Sequence, residues 1–291
     1  MKIYLKLFRV SQWIKNFFVF VPLLFSLHLF EENYFLTSFR AFITFCFASS
    51  FVYVINDIVD RDADRLHPEK RFRPIASGKV SVNKALSLAS ILIILIVLLL
   101  LTFNSTFNLA VAGFLVLNML YSFSFKHIVI LDVFSIAAGF SLRVLAGAFA
   151  INVEISSWLI LTTMFISLFL GVMKRHSELT VAAENSNSNT RKVLQDYNID
   201  FANQMATVAA AGVIICYALY TVAARTITVF GTENLIYTTP FVVFGIFRYM
   251  YLVYKFDKGE NTTRIMVTDI PMIITVISYV FVTVLIIYRI F

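Results

Sequence analysis

Charge is scarce in this chain of 291 residues: Asp, Glu, Lys and Arg make up only 14% of it. Nine glycines and five prolines leave little material for a loop-rich fold. The two cysteines, Cys46 and Cys216, both lie inside apolar runs. They supply neither a disulfide framework nor a metal-binding spacing, and they read as packing residues. No serine-hydrolase elbow, phosphate-binding glycine loop, zinc motif or dinucleotide fingerprint occurs. These absences remove the common soluble hydrolases, nucleotide-binding folds and zinc proteins. No cleavable signal peptide is evident either. The first 16 residues are basic and amphipathic, and no small-residue cleavage site follows the first apolar run.

What is abundant is apolar. Hydrophobic residues make up 59% of the chain, and 31 of them are Phe. That composition belongs to a polytopic membrane protein of the all-α class. Nine runs have about the length that crosses a bilayer. They cover 17–31, 39–59, 84–103, 106–125, 129–150, 157–173, 202–225, 235–254 and 270–290. The first is short and contains Pro22, which predicts a kinked or partial crossing. No linker or composition shift divides residues 1–291, so a single transmembrane catalytic domain is expected.

The net charge of +7 raises the question of nucleic acid. The basic residues, however, sit in loops between apolar runs, so they act as topology signals and no nucleic-acid partner is expected. One side receives the N-terminus and the loops 60–83, 126–128, 174–201 and 255–269. Counting Lys84, it holds all of the 24 Lys and Arg except Arg40, Arg143, Arg225, Arg248 and Arg289. The other side carries Glu31, Glu32, Glu154 and Glu233. The basic side is therefore expected to be cytoplasmic, with the N-terminus inside and the C-terminus outside.

One stretch gathers charge of both signs, Asn56 to Lys79: NDIVDRDADRLHPEKRFRPIASGK. A helix turns about 100° per residue, so Asp57, Asp60 and Asp64 fall on one face and Asp62 points away. Three carboxylates on one face repel one another unless a cation lies among them. Oxygen ligands without His or Cys suit a hard cation such as Mg²⁺, which keeps positions open for substrate phosphates. Lys70, Arg71 and Arg73 follow, suited to holding those phosphates. Asn56 adjoins the acids. Acids for a metal and bases for phosphate predict a diphosphate site at a membrane surface. The bland alternative is a topology loop that meets anionic lipid.

Other charges lie near or within the apolar runs. Gln12, Lys15 and Asn16 precede the first run and either reach a polar cavity or anchor the interface beside Trp13. Asp132 and Arg143 share a face of the fifth run. A charge at that depth is costly and reads as functional. Arg143 is expected to meet a lipid phosphate or to pair with an acid across the bundle. Lys174 and Glu178, four residues apart, face one cavity or form a surface ion pair. His176 has no second ligand at metal spacing and reads as structural. Lys255, Asp257 and Asp269 read as loop and cap residues, and Arg225 and Arg248 as interfacial or pairing residues. The small residues Ala146-Gly147-Ala148 suit close packing within or between subunits, so a homo-oligomer is compatible with the sequence.

The pattern Asn56-Asp57-x-x-Asp60-x-x-x-Asp64 at the end of the second run resembles the first Asp-rich motif of the UbiA superfamily of intramembrane prenyltransferases. Arg73-Pro74-Ile75-x-x-Gly78 is similar to that family as well. Quinone- and haem-type members carry a second Asp-rich motif after the sixth span. This chain has Lys174-Arg175-x-x-Glu178-Leu179 there. That departure, with Gln12-Trp13-x-Lys15-Asn16 and His67-Pro68-x-Lys70-Arg71-Phe72-Arg73-Pro74, resembles the decaprenyl-phosphate phosphoribosyltransferase branch. The resemblance implies nine helices around a central cavity in a bacterial cytoplasmic membrane. It also implies Mg²⁺-dependent transfer of 5-phosphoribose from phosphoribosyl pyrophosphate to a polyprenyl phosphate, for cell-envelope synthesis.

On that reading Asp57, Asp60 and Asp64 are catalytic and hold Mg²⁺. Lys70, Arg71 and Arg73 serve the diphosphate. Lys15, Asn16, Lys174, Arg175 and Glu178 serve the 5-phosphate, the ribose or a second metal, Asn56 counts among the substrate-binding residues, and Arg143 serves the lipid phosphate. Two other readings compete with it. One is a prenyltransferase with a prenyl diphosphate donor and an aromatic acceptor. The other is a cation-coupled transporter with Asp57, Asp60 and Asp132 as the ion path. Internal repeats and midplane helix breaks, common in transporters, are not found here.

Overall fold

A computed structural model describes residues 2–66, 70–184, 196–256 and 268–289. His67, Pro68, Asp257 and the polar loop 186–190 lie outside the described residues. Among those described, eight helical segments are long and apolar enough to cross a membrane. They are α1 (Glu32–Val59), α2 (Val82–Leu100), α3 (Ser105–Phe123), α4 (Leu131–Ala150), α5 (Ser157–Glu184), α6 (Ile199–Val222), α7 (Thr239–Phe256) and α8 (Ile270–Ile287). A 3₁₀ turn, Asn234–Thr238, leads into α7 and counts toward its span.

The expected first crossing differs. Residues 17–31 do not form one helix. A 3₁₀ helix runs from Val10 to Phe20 and an α-turn from Val21 to Leu24. Pro22 has no N–H to donate, and the helical run stops two residues later. The 3₁₀ geometry rises about 2.0 Å per residue, so these residues extend roughly 28 Å despite their small number. The segment is a shorter apolar helix, so among the described residues the nine expected runs become eight full spans plus this piece, the run for which a kinked or partial crossing was expected.

Caps set several helix starts. Asn104 Oδ1 accepts from Phe107 N at 2.8 Å, and Asn198 Oδ1 accepts from Phe201 N at 2.6 Å. Asp269 Oδ1 accepts from Met272 N at 3.0 Å, with a proline in the first turn, as its sequence position implied.

The described chain falls into two compact units. The first comprises residues 1–23, 28–125 and 142–153, and the second 24–27, 126–141 and 154–291. In the first, Phe45 packs edge-on against Phe114 (centroids 5.2 Å) and Phe107 (6.3 Å). Val19, Ala41, Ala48, Ile96 and Val111 complete that core. In the second, Ala202, Ala206, Ala209, Ala210 and Val213 form one stripe of α6. They pack with Phe169, Val172 and Met173 of α5 and Tyr249 and Val253 of α7. Small residues let helix backbones approach closely, where lipid gives no hydrophobic drive between helices.

The Ala146-Gly147-Ala148 face is used inside the first unit. A Cβ at Gly147 would collide with the backbone carbonyl of Val19. Gly147→Ala is therefore expected to destabilise the protein by about 1–3 kcal/mol, since a backbone obstacle yields less readily than a side chain. A lowered unfolding midpoint in detergent, with Gly113→Ala as the unstrained control, checks this.

Candidate active site

The acidic face forms where α1 ends. The helix stops at Val59, and Asp60 takes a non-helical conformation (φ −85°, ψ 4°). A short helix, Arg61–Leu66, restarts at once, with Asp64 N donating to Asp60 O at 2.8 Å. One bend thus joins the two pieces and leaves Asp57 and Asp64 on the same side. Asp57 is 2% exposed and Asp64 4%. Asp62 points out and meets Arg65 at 3.4 Å, as the helical spacing implied. Asp60 is half-buried, and its Oδ2 accepts from Asn56 Nδ2 at 3.0 Å. Asn56 therefore orients Asp60.

Two arginines neutralise the acids. Arg73 Nη1 donates to Asp64 Oδ2 at 2.6 Å and to Asp57 Oδ1 at 3.3 Å. Arg9 Nη2 donates to the same Asp57 oxygen, and its guanidinium lies 4.6 Å from the Tyr53 ring centre. The basic loop that carries Arg73 is internally fixed. Ser77 N and Oγ both donate to Arg73 O, Gly78 N donates to Ile75 O at 3.1 Å, and Val80 N donates to Pro74 O at 3.0 Å. Gly78 supplies the positive φ of 74° that this turn needs. Ile75 and Val80 are buried with Leu7 and Val54 and anchor the loop. Lys70 is half-buried. Arg71 is exposed and lies over its neighbour Phe72.

A second polar group lies in the same unit. Arg143 of α4 is buried. Its Nε donates to Asn16 Oδ1 at 2.8 Å and its Nη2 to Ser49 Oγ at 3.4 Å. Its guanidinium stacks 4.5 Å from the Phe114 ring centre. Ser49 Oγ also donates to Asn16 Oδ1, at 3.2 Å, and Asn16 Nδ2 points to Cys46 Sγ at 3.4 Å. Asn16, expected at the donor, thus has its amide occupied at both ends by protein, and it positions Arg143. Trp13 Nε1 donates to Ser50 Oγ at 3.0 Å and pins the 3₁₀ helix to α1. Lys15 is half-buried.

The second unit holds its own cluster. Arg175 (1% exposed) donates through Nε to Asp132 Oδ2 at 2.7 Å and through Nη1 to Glu178. Tyr197 OH donates to Asp132 Oδ1 at 2.8 Å and accepts from Ile130 N at 2.8 Å. Burial pushes the Tyr197 hydroxyl well above the ordinary tyrosine range, so it stays a donor. Glu178 Oε1 is 3.8 Å from the more exposed Lys174 Nζ. Arg175, also expected at the donor, is thus an inner member of an ion-pair network. His176 is buried, with its ring edge-on to Tyr254. Arg248 forms a two-bond pair with Asp269, and Arg225 pairs with Glu154.

Three residues of these clusters carry no mark in the sequence. Arg9 and Ser49 belong to no motif, and Tyr197 follows a polar loop with nothing to distinguish it. Arg9 is one turn from the Gln12-Trp13-x-Lys15-Asn16 motif, and that proximity is its one available signal.

Among the described residues no three His, Cys, Asp or Glu side chains converge as a metal site. The donor set nevertheless fits a hard divalent ion. Asp57 and Asp64 both reach one guanidinium nitrogen, so two carboxylates already share one small cationic centre. Mg²⁺ characteristically takes one or two carboxylates and leaves its other positions to water and phosphate.

Residues 17–268 match the family model described as the UbiA prenyltransferase family. The decaprenyl-phosphate phosphoribosyltransferase of Corynebacterium glutamicum is 33% identical over 291 residues, which covers 98% of this chain and 86% of that protein. The protein of the same name from Mycolicibacterium smegmatis is 37% identical over 222 residues, 74% of this chain and 69% of that one. Among solved structures, a UbiA homolog from Archaeoglobus fulgidus bound to GPP and Mg²⁺ superposes with a TM-score of 0.72 at 20% identity. It covers 98% of this chain and 99% of that one.

Proposed function

The chain belongs to the UbiA prenyltransferase family, and within it we propose that this transferase moves 5-phosphoribose from phosphoribosyl pyrophosphate to a polyprenyl phosphate. One observation carries the reading: the buried Arg143, held by Asn16 and Ser49, lies in the same unit as the Arg9, Arg73, Asp57 and Asp64 set. A prenyl diphosphate and an aromatic acceptor bring one diphosphate. Phosphoribosyl pyrophosphate and a lipid phosphate bring a diphosphate and two further phosphates, which gives Arg143 a phosphate to meet beyond the diphosphate. The Corynebacterium and Mycolicibacterium relatives are named for a decaprenyl-phosphate acceptor and a phosphoribosyl group, which supports that acceptor class and that transferred group.

The geometry supports a division of roles. Arg73 and Arg9 take the diphosphate and the charge that develops on it as it leaves. Lys70 and Arg71, in the same basic loop, draw the donor in. Lys15 takes the 5-phosphate. Arg143, held by Asn16 and Ser49, takes the lipid phosphate. The bond from ribose C1 to the pyrophosphate oxygen breaks, a lipid phosphate oxygen bonds to C1, and pyrophosphate departs. The attacking oxygen is already anionic, so no general base is required.

Asp57, Asp60 and Asp64 would hold Mg²⁺, with Asp60 oriented by Asn56. When bound, that ion supplies Lewis-acid stabilisation of the leaving diphosphate. Lys174, Arg175 and Glu178 form an ion-pair cluster of their own in the second unit, and their candidacy for substrate rests on the family resemblance. The lysine- and arginine-rich loops support placing this chemistry on the cytoplasmic face of a bacterial inner membrane.

The family placement makes the chain an enzyme and speaks against the transporter reading. Asp132, a candidate for the ion path, is paired with Arg175 and Tyr197. The test is direct. Purified protein with radiolabelled phosphoribosyl pyrophosphate, a polyprenyl phosphate and Mg²⁺ is expected to carry label into the organic phase, and EDTA is expected to stop it. Absence of labelled lipid with several polyprenyl phosphates contradicts the proposal.

A further inference from the structure

In the first unit Asp57, Asp64, Arg9 and Arg73 form one connected set. Both acids are buried, and the arginine side chains are about one quarter exposed, 23% and 24%. Two negative and two positive charges cancel. A divalent cation entering alone would meet carboxylates already neutralised and would leave excess positive charge in a poorly hydrated place. A diphosphate entering alone would meet the acids that repel it. Only joint entry preserves the balance, and it requires the arginines to leave the carboxylates.

The arginines are suited to that move. Their planar fork binds phosphate as readily as carboxylate. Arg9 also has a second surface to rest on. It lies over the Tyr53 ring, and it lines an open concavity with Lys6, Ser11 and Gln12. It stands at the joint between the Lys2–Leu7 helix and the Val10–Phe20 helix, in a left-handed conformation (φ 48°, ψ 48°).

We propose that Arg9 and Arg73 are exchangeable counter-ions. They hold Asp57 and Asp64 before the donor binds and pass to its diphosphate as the carboxylates receive a divalent cation, so cation and diphosphate bind as a pair. The proposal rests on the diphosphate reading of this site and adds Arg9 to it. Because coupling is reciprocal, each partner tightens the other by the same factor.

Equilibrium dialysis of the purified full-length chain against Mn²⁺ at fixed free concentration, with and without inorganic pyrophosphate, reads this coupling without activity. In the wild type, pyrophosphate is expected to tighten Mn²⁺ about tenfold or more, within the usual span of couplings. Arg73→Gln and Arg9→Gln are expected to bind Mn²⁺ alone about tenfold more tightly than wild type and to lose most of the coupling. Arg9→Lys keeps an ion pair with Asp57 but loses the fork. It is expected to weaken the coupling even if the glutamine variants fold poorly, and wild-type coupling in Arg9→Lys overturns the role of Arg9. Equal Mn²⁺ affinity in the wild type with and without pyrophosphate overturns the exchange and leaves the metal reading standing. No Mn²⁺ binding under either condition overturns both.

Discussion

Asp57→Asn is expected to lower kcat/KM for transfer by about a thousandfold, at the upper end of what one electrostatic group contributes in an active site. Asp57 is the carboxylate on which both Arg9 and Arg73 converge. Asparagine keeps its shape and one acceptor oxygen but removes the charge that would hold a divalent ion. The cost in stability is expected to be modest. Arg73 retains Asp64 at 2.6 Å, and both arginine side chains are partly solvated. The variant should elute as a monodisperse protein while its activity collapses. Asp62→Asn is the control. It removes an equal charge from a side chain that is 88% exposed, and it is expected to stay within about twofold of wild type. Asp57→Asn activity above about a tenth of wild type would remove Asp57 from the catalytic site.

The second large effect concerns stability. Asp132→Ala is expected to cost about 3 kcal/mol, because it removes the fully buried one of the two carboxylates that pair with the buried Arg175 guanidinium. A lowered unfolding midpoint in detergent measures it. Replacing both partners together, Asp132→Leu with Arg175→Met, is expected to recover most of that loss, since neither charge of the pair is then left buried. Tyr197 keeps Ile130 N as a donor to its hydroxyl in the double variant. Activity in that variant then separates two roles. A positioning Arg175 predicts a reduced but measurable rate. An Arg175 that binds the donor directly predicts a stable protein with no activity.

The apolar runs were legible because a bilayer demands long uninterrupted helices, and eight of the nine have matching helices. Their ends were less legible. The polar residues after Phe30 read as a loop, yet α1 begins at Glu32. Phe35 N donates to Glu31 O at 3.0 Å, and Ser38 is buried, so packing carries the helix through that stretch. α5 continues to Glu184, past the last apolar residue of its run, because a helix does not stop where the lipid does. The 3₁₀ course of Val10–Phe20 has no marker in apolar periodicity.

The acidic face was legible only in part: the spacing read Asp57, Asp60 and Asp64 onto one helix, but the helix breaks at Asp60 and a second one starts at Arg61, and the bend between them keeps Asp57 and Asp64 on one side. Asp57 and Asp64 are buried, and Asp62 is exposed. Counter-ions are set by tertiary contact, which spacing does not encode. Arg9 lies 48 residues from Asp57, and Asn16 lies 127 from Arg143. Pairing with a buried acid, one of the two roles considered for Arg143, is the role that Arg175 has.

Which group is transferred is the central question, and one competition experiment answers it. Purified protein in detergent, given equal concentrations of phosphoribosyl pyrophosphate and a prenyl diphosphate, is offered a polyprenyl phosphate and an aromatic acceptor together with Mg²⁺. Mass spectrometry of the organic phase reads the product. The expected product is a polyprenyl phosphate heavier by one 5-phosphoribosyl group, with release of pyrophosphate and no prenylated aromatic. A prenylated aromatic product, with the polyprenyl phosphate unchanged, would contradict the phosphoribosyl assignment.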